Sequence, residues 1–526
     1  KNRKNNKLHR YVYGEQRLAF HPHCSYYQFA SLKGKLESME KTLSGNDHTL
    51  ATLLELFKQG KFSEVLRIAQ PLIDQNPSEI NLINIFGAAA AIIGQFQLAE
   101  DYLKRALEID KDNPELNNNM GNVLLQQNKF RQSVSYFEQA VKAQPNNCNF
   151  HNSLGIALMS TDRINDAEKV LKTAVSLEPK NPETHSNMGA LFWEKGNIKD
   201  SQKSCLTALS FKPDHKRAKS MMIRTLEAHN PDQGVDFPVV LANREIRKIN
   251  LEKDIKKRLE SDNIAKILQH ADNILAHYDP TLDYPESQTY RRNQIRLNCH
   301  RHERIFHEHN IIPKFCFGCF KVQIEPRTVV ELIKIFLLFD WIILKANNSR
   351  KCIVELRDNV PGFYKALIYC SSLDEAKLIQ NTISTYVSDL IDPNVSCSIK
   401  RGCSEFSISY PKYGRVDKGV ADGLMVYPEE WESIENDHDD QYQSDRSPFG
   451  SPTLKGFSLS DFLIIKNWIG YAAGIKDTSM NALSIQQIGS NRLFKAAAKR
   501  SAKLVPAVQS AAIKNSGYNI KSINIS

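Results

Sequence analysis

Cysteine is scarce in this chain, ten residues among 526, which is far below the density of a disulfide-stapled scaffold. Seven of the ten lie between Cys299 and Cys403, a concentration that fits a reducing compartment with local thiol chemistry or metal binding. Long apolar runs are missing too. The most apolar stretch, Val329 to Leu344, is interrupted by Glu331, Lys334 and Asp340 and is too short to span a bilayer. No apolar segment follows the basic, Asn-rich opening KNRKNNKLHR, so a secretory signal is not expected. The chain does not start with Met, which leaves residues upstream open, and the expected location is cytoplasmic. Phosphate-binding glycine loops, HExxH and GxSxG are absent from the sequence, which removes the most recognisable signatures of nucleotide, zinc-peptidase and hydrolase chemistry. The formal net charge of +10 is modest for this length and reads as a solvated basic surface before it reads as a nucleic-acid footprint.

What the chain does have is 41% hydrophobic residues, enough for two or three domains with their own cores, and an internal repeat. Gly87, Gly121, Gly155 and Gly189 recur every 34 residues, each preceded by an apolar residue (Phe86, Met120, Leu154, Met188). Nineteen residues after each glycine stands an alanine: Ala106, Ala140, Ala174 and Ala208. Pro145, Pro179 and Pro213 keep the same register, and a degenerate first copy carries Gly60, Phe62 and Pro77. Small residues at fixed places mark close helix crossings, and the unit reads as two antiparallel helices, A and B. One such pair cannot bury its apolar face, so copies must stack.

The segment NNNMGNVLLQQNKFRQSVSYFEQAVKAQPNN resembles the tetratricopeptide repeat (TPR) consensus, and the likeness extends over residues 46 to 215. The resemblance implies repeats at 46–79, 80–113, 114–147, 148–181 and 182–215, with a charged capping helix at 216–229. It also implies a concave groove lined by the A helices. The fifth and sixth positions of those helices read Asn84 and Ile85, Asn118 and Asn119, Asn152 and Ser153, and Ser186 and Asn187, with Asn122 and Asn149 nearby. A carboxamide both donates and accepts, so a column of them can pair with the main chain of an extended peptide whatever its side chains are. The column resembles the asparagine ladder of the O-GlcNAc transferase repeats. The competing reading is that Asn is simply a common polar residue on repeat helices.

The second half changes character. After a charged helical connector over 230–289, the pattern predicts a helix from Tyr290 to about Glu308, a strand Phe315–Ile324 and an apolar helix Arg327–Leu344. Strands Cys352–Arg357 and Tyr364–Cys370, a helix Leu373–Leu390 and a strand Val395–Ser409 follow. The order β-α-β-β-α-β is that of a ferredoxin-like split βαβ unit. The expected fold class is therefore an all-α TPR superhelix followed by a Cys-rich α+β domain over 290–416. An acidic linker over 417–456 comes next, its stretch EEWESIENDHDDQYQSDRS having a disordered composition. A capped helix at SLSDFLIIKNWIGYAAG then opens the C-terminal segment 457–526 with its basic tail, and residues 1–45 form a basic N-terminal segment.

The candidate chemistry lies in LNCHRHERIFHEHNIIPKFCFGC. Cys299 and His302 are one helical turn apart, and thirteen residues later comes Cys316-x2-Cys319, with Gly318 read as permitting a tight knuckle. Thiolate plus imidazole is a preferred zinc set, so Cys299, His302, Cys316 and Cys319 are candidate ligands of a structural zinc ion. Ordinary buried thiols, a redox CxxC pair, or a nucleophilic Cys403 flanked by Arg401 and Glu405 compete with that reading. His300, His307 and His309 read as solvated. The cluster HPHC at His21 to Cys24 and the fragment Asp437-His438-Asp439, a match to the metal-binding DxD of glycosyltransferases, read as fortuitous. RNA binding is disfavoured, since Cys403 and Glu405 stand where the RNA-recognition strand needs aromatics. The expected function is a protein-interaction scaffold gripping an extended peptide. The alternative is an enzyme, a transferase or thiol- or metal-dependent, to whose Cys-rich domain the repeats present a protein substrate.

Overall fold

The computed structural model describes residues 48–232, 234–291, 299–357, 360–416, 424–442, 453–483 and 492–502. The N-terminal segment with its His21–Cys24 cluster, the expected helix start over 292–298, much of the acidic linker and the tail beyond 502 lie outside the described residues. Two compact units divide the chain close to Met222.

The first unit consists of paired helices: α1 His48–Lys58 with α2 Phe62–Gln75, α3 Ile80–Ile92 with α4 Phe96–Ile109, and α5 Pro114–Gln126 with α6 Phe130–Ala143. Two further pairs, α7 Cys148–Ser160 with α8 Ile164–Leu177 and α9 Pro182–Glu194 with α10 Ile198–Phe211, precede a single helix α11 Lys216–Leu226. Local chemistry starts and stops each pair at the same register. Asn113 caps α5 by accepting from the N–H groups of Glu115 and Leu116 at 3.1 and 3.2 Å. Asn181 does the same for α9 at 3.0 and 3.3 Å, and Pro114 and Pro182 fill the first helical positions, where no donor is lost. The A helices end on left-handed residues, Gly60, Gly94, Asn128, Asp162 and Gly196, all at φ between 61° and 83°. These are the residue types that tolerate that conformation.

The repeating glycines have one job. A methyl group built on Gly121 would lie 2.7 Å from the Phe137 ring, on Gly155 2.7 Å from Leu171, on Gly87 2.9 Å from Leu103 and on Gly189 2.7 Å from the Cys205 sulfur. Each A helix thus presses its backbone against a large side chain of its own B helix. The alanine column, Ala106, Ala140, Ala174 and Ala208, stands three residues further along each B helix and is fully buried. At the far end α11 is tied to α9 by Glu183, whose carboxylate accepts from Arg217 at 2.6 Å and sits 2.9 Å from His215.

The second unit begins with α12 Pro238–Ile246, α13 Ile255–Arg258 and α14 Ser261–Tyr278, so the charged connector is broken into three pieces. A five-stranded sheet follows: β1 Gln288–Arg291, β2 Phe320–Glu325, β3 Arg350–Val354, β4 Tyr364–Cys370 and β5 Ser396–Arg401. The strand order is β1-β3-β4-β2-β5, and every neighbouring pair is antiparallel, Val322 facing both Ile368 and Ile399. Interleaved with the strands are α15 Cys299–His309, α16 Lys314–Phe317, α17 Val329–Trp341, α18 Leu373–Leu390 and α19 Ser404–Ser409. Beyond the sheet come α20 Trp431–Tyr442 and α21 Leu459–Ile475. A capping box between Ser458 and Asp461 opens α21. Asp461 also receives Arg291 at 2.7 Å, while the guanidinium stacks 4.3 Å from the Phe336 ring, so a buried charge is both paired and covered.

Several expectations need correction. Tyr290 belongs to a strand, not to the helix expected to start there. Phe315 lies in the one-turn helix α16, opened by Pro313, and the strand starts only at Phe320. The last strand stops at Arg401 because Gly402 turns left-handed at φ 54°, where a methyl group would sit 1.9 Å from the Tyr413 hydroxyl. The acidic stretch, expected as disordered, forms α20 over Trp431–Tyr442: Glu435 and His438, one turn apart, are both buried.

Gly121→Ala is expected to cost about 1–3 kcal/mol through overpacking against Phe137, read as faster hydrogen exchange in α5 and α6; unchanged exchange there refutes the close-crossing account. A second expectation concerns acid. Burial works against the Glu183 charge, but Arg217 and His215 outweigh it and hold its pKa near 2 instead of 4.5. Its contribution is therefore complete above pH 4.5 and is lost as pH falls through about 2. Glu183→Gln should flatten the acid dependence of exchange protection in residues 216–222 across that window.

Candidate functional site

The asparagines of the A helices interlock diagonally from one repeat to the next. The Asn119 amide donates to Asn84 Oδ1 at 2.7 Å, and the Asn187 amide donates to Asn152 Oδ1 at 3.1 Å. In both cases the sixth position of one A helix reaches the fifth position of the A helix before it. Asn152 passes its own amide on to Thr184 Oγ1 at 2.8 Å. Between these two rungs the pattern fails, because Ser153 holds the sixth position where Asn118 would need a carboxamide. Asn118 Oδ1 is consequently buried with no partner in the fold, and one turn further along α5 both polar atoms of Asn122 are in the same condition, as is Asn187 Oδ1. Asn118, Asn119, Asn122, Asn152 and Asn187 are buried, and Asn84 and Asn149 are half-buried. Asn149 stands apart from the column. It lies at the start of α7, where Asn147 accepts from its N–H at 3.1 Å, beside a polar depression of about 560 Å³ lined by Gln144, Pro145, Asn147 and Glu178.

Unpaired buried polar groups are rare because each costs about 1–3 kcal/mol of desolvation without return. Of the asparagine column's four orphaned atoms, three sit on two residues four apart on one helix face, a donor and two acceptors. That is the complement of a main-chain amide. The register of the column was legible in the sequence. The missing rung at Ser153 was not, because it requires knowing which position pairs with which.

In the second unit the candidate zinc ligands are spread over three elements. Cys299 opens α15, Cys316 sits in α16, and Cys319 follows it through a turn in which its N–H donates to Cys316 O at 3.2 Å. His302, one turn into α15, is buried with its ring stacked on Phe315, centroids 5.1 Å apart. Gly318 adopts φ −94°, an ordinary right-handed value open to any residue, so the knuckle does not depend on glycine. Cys403 is brought in as well: the Gly402 N–H donates to Cys319 O at 2.8 Å, and Cys316 and Cys403 share an apolar cluster with Phe306, Phe406 and Tyr413. Lys321 lies under them, its ammonium 3.7 Å from the Cys403 sulfur and 5.1 Å from the Tyr369 ring. Burial opposes the Lys321 charge, yet the sulfur of Cys403 and the neighbouring Tyr369 hold its pKa above the usual lysine value. Burial, with Cys403 adding to it, pushes Cys299 up to about 12, and burial likewise raises Cys316 and Cys319. A nucleophilic or redox cysteine needs the opposite shift.

Among the described residues, one group of His, Cys, Asp and Glu brings its ligand atoms within 4.8 Å of one another: Glu308, His309 and His438. The four candidate zinc ligands do not form such a group.

The tetratricopeptide repeat family model matches residues 94–155, which lie within the TPR-like array of paired helices between His48 and Phe211. No curated protein matches the chain. Among solved structures, a thermophilic TPR protein of Thermus thermophilus is 16% identical, with a TM-score of 0.32 over 35% of this chain and 99% of its own. PilF of Pseudomonas aeruginosa is 15% identical, with a TM-score of 0.31 over 34% of this chain and 82% of its own. YrrB, described as a TPR protein with an unusual peptide-binding site, is 16% identical, with a TM-score of 0.28 over 37% and 97%. No helix among the described residues is long and apolar enough to cross a membrane.

Cys316, only 4% exposed, is expected to resist iodoacetamide in the native chain at neutral pH, both before and after treatment with a chelator, and to react on unfolding. Alkylation of native Cys316 in peptide mass mapping contradicts this account of the thiol cluster.

Proposed function

We propose that the chain is an interaction scaffold whose repeat array grips an extended segment of a protein partner, with Asn118 and Asn122 as the central contact. The observation that carries this reading is the interrupted ladder. Two rungs are closed by Asn84 with Asn119 and by Asn152 with Asn187. Between them a donor and two acceptors stand buried and unpaired. A peptide main chain supplies the N–H and C=O those atoms lack, independently of its side chains. All three atoms are shielded from solvent, so an occupant reaches them only as flanking side chains give way, and binding is coupled to a local rearrangement.

The second unit is a further interaction module on this reading. Its strand order β3-β4-β2-β5, with α17 connecting β2 to β3 and α18 connecting β4 to β5, supports the ferredoxin-like split βαβ arrangement. The raised thiols favour a packing role for Cys299, Cys316 and Cys319 over a catalytic one.

Peptides enriched from a displayed random library on the full chain provide the probe. Ser153→Asn supplies the missing carboxamide, satisfying Asn118 from within, and should weaken those peptides about fivefold, the value of one net hydrogen bond, without lowering thermal stability. Asn122→Ala should weaken them similarly. Unchanged peptide affinity in both variants, or no peptide enriched on the wild-type chain, sinks the reading.

A further inference from the structure

We propose that Glu308, His309 and His438 form a binding site for a zinc-class divalent cation that fastens α20 to the end of α15. The three ligand atoms are already arranged for it. His438 Nδ1 lies 3.4 Å from His309 Nε2 and 3.4 Å from Glu308 Oε2, and His309 Nε2 lies 3.9 Å from Glu308 Oε2. An ion bonded to nitrogen and oxygen at about 2.0–2.2 Å in tetrahedral geometry holds its ligand atoms about 3.3–3.6 Å apart. Two of the three separations fall in that range, and the third needs only a small rotation of the exposed Glu308 carboxylate.

The surrounding structure fixes the ligands from both sides. His309 is the last residue of α15, which ends because Asn310 turns left-handed at φ 55°, and the carbonyl end of a helix favours a cation. Across from it, α20 is seated one turn before His438 by Glu435, which accepts from the Lys314 N–H at 2.7 Å, the Tyr427 hydroxyl at 2.7 Å and Arg301 at 3.2 Å. Buried at 1% exposure, the His438 ring meets that of His309 edge to face, centroids 5.5 Å apart. The position of His438 therefore does not depend on the ion, and a cation would find a partly formed site.

The donor set selects the metal. Two imidazole nitrogens and one carboxylate oxygen, without sulfur, suit zinc and its neighbours, and fit poorly with the all-oxygen shells of calcium and magnesium. Glu308 and His309 face solvent, so three protein ligands leave a fourth position for water, the open class of site. The thiols of Cys299, Cys316 and Cys319 take no part.

The test uses the full chain, stripped with a chelator and titrated with zinc by calorimetry and with cobalt(II) by absorption. One equivalent should bind, with the strong visible d–d bands of four-coordinate cobalt(II) and no thiolate-to-cobalt charge transfer. His438→Ala and His309→Ala should each weaken that equivalent by more than about 100-fold, beyond the loss typical of an outer-shell partner. Should His438→Ala fail to fold, His309→Ala, at the partly exposed ligand, decides alone. Unchanged affinity in the folded variants, no bound equivalent, or a cobalt spectrum dominated by thiolate charge transfer overturns the site.

Discussion

The repeat array depends on one contact, the place where an A-helix glycine lets the backbone lie against a bulky side chain of its own B helix. With less than 3 Å between a would-be methyl group and Leu103, Phe137, Leu171 or Cys205, no other residue fits without displacing that side chain or the helix that carries it. Close pairing sets the spacing between successive A helices, and that spacing is what allows short asparagine side chains to bridge repeats. The polar atoms of an asparagine carboxamide lie only three bonds from its Cα, so contacts of 2.7 and 3.1 Å between residues 35 apart require backbones held near one another. Packing of apolar atoms thus decides where polar atoms can meet.

That order of causes explains why an interrupted polar column can exist in a stable fold. The apolar layers, from Leu53 and Phe86 through Phe150 and Leu191, are buried on their own account and supply the driving force for stacking. The ladder rides on this framework and can carry an imperfect rung at Ser153 at a cost of a few kcal/mol. Were the asparagines the main source of stability, leaving Asn122 wholly unpaired would be hard to accommodate. Because they are not, the column can lose a rung without loss of the fold.

What could be read from the sequence follows the same division. Periodic apolar and small residues announced the repeat units, because each column repeats the same physical demand, and Leu373–Leu390, Tyr364–Cys370 and the capped helix at Leu459 were legible for similar local reasons. The misreadings cluster where a distant residue overrides local preference. Phe315 alternates like a strand residue, but Pro313 starts a helical turn and His302 stacks over the ring. The segment after Arg401 alternates too, but the Tyr413 hydroxyl, donating to Cys316 O at 2.7 Å, occupies the space next to Gly402 and turns the chain. The thiols of Cys299 to Cys319 have a metal-like spacing along the chain. In space they meet Lys321 and Cys403, which no spacing rule includes.

The acidic segment shows how composition can mislead in a systematic way. Counting charges over 429–447 predicts a solvated chain, because the count treats every carboxylate as facing water. Two residues decide otherwise: Glu435 is drawn inward by three donors from outside its helix, and His438, one turn on, is buried as a consequence. Once those two side chains are anchored, the remaining acids occupy the outer face of a helix and cost little. The same anchoring carries His438 across 129 residues of sequence to His309, a separation at which ligand hooks cannot be recognised from spacing.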